Sequence, residues 1–315
     1  MAPDSDSIVP TLGFIGLGAM GGQMARRLLG AEHRLVAFDI DAERLAACVG
    51  AGAWAAESAV DAVQRSQVVL TSLRSSAVFV EVAEESLVPN ARPGQVFIDL
   101  GTTEAPETRR LAAALAARGA TLLDAPVSGG PGGSQSGTLR IFVGGDEAAY
   151  RRCRPILEVL GDPERIVYCG PSGCGQVVKG VNQLAMGLGD AAYLEAIAFG
   201  VRAGADPEAI RQGVGGDEGW RAHFAALAKR VLDGTAETCW VKFPELPYFL
   251  AEAREKGFEP PLTRALYEFC RAAERSYRDN MGRPTVSFWH ELMTRPRPPA
   301  PAPADAREQE RSQEG

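Results

Sequence analysis

Thr11-Leu12-Gly13-Phe14-Ile15-Gly16-Leu17-Gly18-Ala19-Met20-Gly21 is the stretch that decides the fold. A short apolar run leads into G-x-G-x-x-G, and the helical pattern AMGGQMARRLLG follows at once. Each glycine answers a physical demand: Gly16 a tight turn, Gly18 the close approach of backbone to a pyrophosphate, Gly21 the packing of helix on strand. The free N–H groups at the helix start, from Leu17, Ala19 and Met20 onward, then face the phosphates. Alone the motif is weak; its place between a strand and a helix at the head of a βαβ unit gives it weight. The next apolar run, HRLVAFD, ends on Asp39, close to the spacing of the acid that accepts hydrogen bonds from a ribose diol. Ile40, not Arg, follows, which favours NAD over NADP, while Arg44 one helical turn on keeps NADP within reach.

Outward from this unit, QVVLTSL, QVFIDL, TLLDAP, RIFVG and RIVYCG carry apolar residues on consecutive positions, as strands covered on both faces do. Ala- and Arg-rich helical segments such as PETRRLAAALAARG separate them. Strands alternating with helices predict a Rossmann-type doubly wound, mainly parallel α/β sheet over residues 11–172. The pattern then changes. In QVVKGVNQLAMGLGDAAYLEAIAFGVR, Val177, Val181, Leu184, Leu188, Ala192 and Ile197 recur at mostly three or four residues, which predicts one long helix. Further helical segments and no convincing strand follow, so an all-helical substrate and dimerisation domain is expected over 173–293. Residues 1–10 read as a disordered lead, and the Pro-rich 294–315 as a disordered tail.

The 315 residues carry a net charge of −7, against a nucleic-acid surface, which needs clustered Lys and Arg. Six cysteines without a C-x-x-C pair and three scattered histidines predict neither a metal site nor a disulfide framework. Scattered thiols suit a reducing, cytoplasmic compartment. No apolar run reads as a membrane span, and no secretory signal pattern opens the chain.

Three further segments carry chemistry. Asp124-Ala125-Pro126-Val127-Ser128-Gly129-Gly130 reads as a strand end turning into a Gly-rich loop, whose N–H groups and Ser128 hydroxyl can surround a carboxylate. Gly137-Thr138-Leu139 is the second. Gly173-Cys174-Gly175 precedes Lys179, Asn182 and Gln183, which share a helix face. Lys179 falls on the apolar side of its helix. It is either a buried amine that exchanges protons readily or a packed stem whose head reaches solvent.

With FIGLGAMG at the start, these segments stand in the order found in the β-hydroxyacid dehydrogenase family, which the chain resembles from about Thr11 to Phe269. The resemblance implies hydride transfer between NAD, or NADP, and a small hydroxy acid or semialdehyde. It implies Lys179 as general acid/base. It implies Ser128, Gly129, Gly130, Asn182 and Gln183 as substrate residues, and Leu73 and Thr102 beside the cofactor. A homodimer or homotetramer is expected from it. Asn182-Gln183 looks like tartronate semialdehyde reductase, whereas Asp39 without a following Arg looks like 3-hydroxyisobutyrate dehydrogenase, so the substrate stays open. The family's second-domain Lys-Asp pair falls on Pro244-Glu245 when counted back from Gly257; Lys242, two residues early, is expected to take over at the cofactor or substrate carboxylate. Two other readings compete: imine or other carbonyl reduction on the same scaffold, and a non-catalytic cofactor-binding interaction protein. Lys179 counts against the first, and Lys179, Ser128 and Asn182 together count against the second.

Overall fold

The computed structural model describes residues 10–233, 241, 243–272 and 289–290. The readings made for residues 1–9, for Lys242 and for the 294–315 tail lie outside the described residues. By contact the chain forms two compact units, Met1–Ala185 with Glu245–Arg264, and Met186–Pro244 with Ala265–Gly315.

The first unit is built on a nine-stranded sheet: β1 (Leu12–Ile15), β2 (Leu35–Phe38), β3 (Trp54–Ala55), β4 (Val68–Thr71), β5 (Val96–Asp99), β6 (Thr121–Asp124), β7 (Val127–Ser128), β8 (Leu139–Gly144) and β9 (Gly161–Gly170). Its order is β3-β2-β1-β4-β5-β6-β8-β7, with β9 also beside β8. Strands β1 to β6 pair in parallel, β8 runs antiparallel to β6 and β7, and β9 returns parallel to β8. The expected mainly parallel doubly wound sheet is therefore present.

Helices cover both faces: α1 (Gly21–Gly30), α2 (Ala42–Gly50), α3 (Ala59–Gln64), α4 (Ser76–Val82) running through a π-helical turn (Ala83–Leu87) into α5 (Val88–Asn90), α6 (Ala105–Ala116), α7 (Gly130–Ser136) and α8 (Glu147–Leu160). The alternation within each strand explains why. Leu12, Phe14, Val68, Leu70, Val96, Ile98 and Leu123 join a core with Met24, Leu28, Ile156 and Leu157 from α1 and α8. Their neighbours Ile15, Val69, Phe97 and Leu122 join a second core with Ala62, Val63, Phe79, Leu111 and Leu115 from α3, α4 and α6. A strand with both faces buried needs apolar residues on consecutive positions.

Helix α7 departs from the expected Gly-rich loop. Its sequence, GPGGSQS, has poor helix propensity. It forms because Gly129 (φ 140°) lets the chain turn in, Pro131 suits the first turn, and Gly137 closes the end in the left-handed region. Arg27 of α1 bonds the Gln135 carbonyl at its far end, and the Val159 carbonyl of α8 as well.

After residue 173 the described chain is helical: α9 (Cys174–Arg202), α10 (Pro207–Val214), α11 (Gly219–Leu232), a 3₁₀ turn (Phe243–Glu245), α12 (Leu246–Glu255) and α13 (Pro261–Arg271). Helix α9, with 29 residues and mean hydropathy 1.4 in its most apolar window, is long and apolar enough by composition to cross a membrane, against the sequence reading. Lys179, Asp190 and Glu195 nevertheless punctuate it. In the second unit Leu194 and Ile197 of α9 are buried, as are Phe224, Leu227 and Val231 of α11. There Asp190 meets His223 Nε2 at 2.5 Å, and Tyr193 stacks on Trp220.

Candidate active site

Two features of the β1–α1 turn test whether it fits a dinucleotide. The first is closeness where backbone must touch backbone. A Cβ at Gly21 would stand 1.9 Å from the Gly16 carbonyl oxygen, and one at Gly16 (φ 95°) would stand 2.5 Å from the Ser72 carbonyl oxygen. The second is openness where a phosphate would lie: a Cβ at Gly18 would meet nothing nearer than Arg44 Nη1, at 3.8 Å. The Asp39 carboxylate borders the same turn. Its Oδ2 accepts the Leu17 N–H at 2.5 Å and its Oδ1 the Asp41 N–H at 2.8 Å. Asp41 caps α2 and holds Arg44 Nε at 3.1 Å. Ile40, between them, is 96% exposed. Leu73 packs beside Gly16 from the β4–α4 loop, and Thr102 lies half-buried in the loop after β5.

The second cluster sits where β6, β7 and the start of α9 meet, all within the first unit. Lys179 is 5% exposed, and its Nζ donates to the Val127 carbonyl at 2.7 Å. One turn along, Asn182 Nδ2 donates to Ser128 Oγ at 3.4 Å. The structure thus joins Lys179, Asn182 and the start of the Ser128-Gly129-Gly130 segment. Gln183 is buried beside them in sequence, with an Oε1 that has no hydrogen-bond partner.

Helix α9 corrects one sequence expectation. Lys179 does not lie on the apolar stripe. It belongs with Gln176 and Gln183 to a polar stripe, and that stripe is the buried one, whereas Val177 and Val181 are exposed, Val181 by 62%.

Beneath the cluster lies a buried polar network that the sequence reading missed. Asp99 and Asp124 end β5 and β6 as direct register partners. Asp99 accepts from Thr103 Oγ1 at 2.7 Å, the Gly101 N–H at 3.0 Å and Thr71 Oγ1 at 3.1 Å. Asp124 accepts the Gly173 and Gln176 N–H groups. The Gln176 side chain accepts the Thr103 N–H and donates to the Gly101 carbonyl, each at 3.0 Å. Burial outweighs these bonds and raises Asp99 to about 7 and Asp124 to about 6. The available signal was an Asp closing each of two fully apolar runs, FID and LLD. Among the described residues no three His, Cys, Asp or Glu side chains gather as a metal site.

The profile of the NAD binding domain of 6-phosphogluconate dehydrogenase matches residues 11–170. The 3-hydroxyisobutyrate dehydrogenase of Pseudomonas aeruginosa is 41% identical over 214 residues, 65% of this chain and 70% of that protein. The chain belongs to the β-hydroxyacid dehydrogenase family. Its cofactor is accordingly a nicotinamide dinucleotide, for which the glycine turn and Asp39 are fitted. The structure of Mycobacterium tuberculosis 3-hydroxyisobutyrate dehydrogenase with L-serine superposes with a TM-score of 0.75 at 26% identity, over 90% of this chain and 99% of that one. The imine reductase of Streptomyces aurantiacus shares the fold, at a TM-score of 0.57 and 23% identity over 90% of this chain and 99% of that one.

The two strand-end carboxyls set a pH dependence of stability. Both hold protons in the folded state that the unfolded chain has released by about pH 4 to 5. Stability they contribute at low pH is therefore lost as pH rises through about 6 and 7. Asp99→Asn removes the larger of the two effects, so its melting temperature should fall less steeply than wild type between pH 5 and 8. Parallel curves would show that Asp99 does not carry the dependence.

Proposed function

We propose that this chain is an NAD-preferring dehydrogenase that oxidises the alcohol of a small β-hydroxy acid to the semialdehyde, with Lys179 as general acid/base. The carrying observation is a buried amine, Lys179 Nζ, held by the Val127 carbonyl one residue before the Ser128-Gly129-Gly130 segment. A substrate carboxylate fits that segment through the Ser128 hydroxyl and the N–H groups of the first turn of α7, which have no intrahelical acceptors. Asn182, joined to Ser128 Oγ, orients the substrate oxygen or the lysine. Gln183 offers a further acceptor on the same helix. Lys179 takes the hydroxyl proton as the C–H hydride leaves, and returns it to the carbonyl oxygen in reverse. The bound nicotinamide accepts or supplies that hydride. Leu73 and Thr102 border its site. An amine at this point suits CH–OH chemistry better than imine reduction on the shared fold, because an alcohol must lose a proton as it is oxidised.

Two further readings accompany it. The exposed Val177 and Val181, with Met186 and Phe199 farther along α9, propose contact with another copy of the chain, at least a dimer. Sedimentation equilibrium should then give at least twice the 33.4 kDa chain mass; a monomer at micromolar concentration would remove this reading. The free thiols of Cys48 and Cys153, both buried, fit a reducing cytoplasm.

A panel of hydroxy acids with NAD, read by the absorbance of the reduced nicotinamide, tests the reaction. Lys179→Ala should lower kcat by roughly 10²–10⁴-fold with NAD affinity retained. Near wild-type turnover would take Lys179 out of the mechanism. The ratio of kcat/KM for NAD over NADP should favour NAD, because the Asp39 carboxylate repels a 2′-phosphate. Asp39→Ala should shrink that ratio by about tenfold, or about 1.4 kcal/mol, the Arg44 guanidinium then facing the phosphate without opposition. A wild-type preference for NADP would overturn this reading of Asp39.

A further inference from the structure

The Gly173-Cys174-Gly175 turn and the buried Asp124 have no part in binding or proton transfer as proposed above, yet they are built against each other closely. Asp124 Oδ1 accepts the Gly173 N–H at 2.8 Å, and Oδ2 accepts the Gln176 N–H at 3.0 Å. A Cβ at Gly175 would stand 2.4 Å from the Phe142 carbonyl oxygen, 2.6 Å from that of Asp124 and 2.8 Å from Asp124 Oδ2. A Cβ at Gly144 would stand 2.6 Å from Asp124 Oδ2. Glycine at both places lets the first turn of α9 rest directly on the carboxylate. Three residues after Asp124, the Val127 carbonyl takes the Lys179 amine. The same four-residue segment therefore grips α9 twice, at the backbone of its first turn and at the lysine one turn higher.

We propose that Asp124 is a positioning residue: its carboxylate seats the first turn of α9 and thereby sets where the Lys179 amine stands relative to the Ser128-Gly129-Gly130 segment. This rests on the dehydrogenase reading for its link to turnover. The seat uses both carboxylate oxygens: Oδ1 takes the Gly173 N–H and Oδ2 the Gln176 N–H, so an amide in place of the carboxylate, with one acceptor oxygen, loses one of these bonds. The titratable groups facing Asp124 are Asp99 on β5 and Cys169 on β9; Arg109 of α6, held by Glu252 and Glu255 of α12, lies over Gly173. Gln176 extends the seat to the cofactor side, since its side chain fixes the Gly101–Thr103 loop while its N–H rests on Asp124.

The test uses full-length protein, wild type and Asp124→Asn. Amide hydrogen exchange at Gly173 and Gln176, corrected for intrinsic rates, should be slow in wild type and severalfold faster in the variant at the same pH, while amides of α8 keep their protection. With the best hydroxy acid from the panel, the variant should lose about 10- to 100-fold in kcat, as a displaced catalytic group does, with little change in KM. Unprotected Gly173 and Gln176 amides in wild type overturn the seat, and this arm stands even if the variant fails to fold; equal protection in the two proteins overturns it as well. Wild-type kcat in the variant overturns the link to Lys179. Should no hydroxy acid be turned over, the dehydrogenase reading falls by itself. The acetylation rate of Lys179 by acetic anhydride, compared between wild type and variant at one pH, then judges the positioning: a severalfold change supports it and equal rates overturn it.

Discussion

A lysine amine enclosed by protein must have an oxygen to bond, and in this chain the Val127 carbonyl supplies one at 2.7 Å. Much of the architecture follows from delivering it. Strand β6 has to end in the middle of the sheet, beside β5, so that the next residues leave the sheet toward α9. Strand β7 is only two residues long and pairs antiparallel with β8, which turns the chain so that Val127 and Ser128 flank the start of α7. Helix α9 then has to approach within backbone contact, which Gly173 and Gly175 permit. One hydrogen bond of 2.7 Å thus depends on a strand end and a sheet reversal near Asp124 and on two glycines that begin 49 residues farther along the chain.

The cofactor side obeys a different constraint. There the backbone itself is the binding surface, and its shape comes from close packing. Gly21 against the Gly16 carbonyl and Gly16 against the Ser72 carbonyl leave no room for a side chain, so the turn has one conformation before any ligand arrives. Asp39 reinforces it by bonding the Leu17 N–H, and so shapes the turn. The network through Asp99, Thr103 and Gln176 joins this side to the lysine side beneath the surface, with every link a bond of 3.0 Å or less.

The fold was legible because its signals are local. Consecutive apolar residues in LGFI, VVLT, VFID and TLLD report strands covered on both faces, and the glycine fingerprint reports the turn between β1 and α1. Trp54–Ala55 and Val127–Ser128 are too short to show any period. Helix α7 was illegible for the opposite reason: its composition argues against a helix, and only packing against α1 and the Arg27 bonds make it one. At the site, the glycines, Lys179 and Asn182 stood out by type and spacing, and resemblance gave them roles. Asp99, Asp124 and Gln176 did not stand out, because their importance lies in bonds across 28 to 75 residues of sequence, which no window displays.

The stripe on α9 shows where periodicity misleads. At 3.6 residues per turn, positions two apart lie about 200° apart on a helix. Turning Lys179 into the protein therefore turns both Val177 and Val181 out, whatever their hydrophobicity. The helix gives up burial of two valines to enclose one amine, a poor exchange for an isolated chain, since each buried valine contributes about 1.5 kcal/mol or more. The exchange becomes reasonable when the outward stripe is covered by something else. A second copy of the chain would recover that apolar area while leaving the lysine amine enclosed. Exposed valines on the helix that carries the buried lysine are thus two consequences of one rotation.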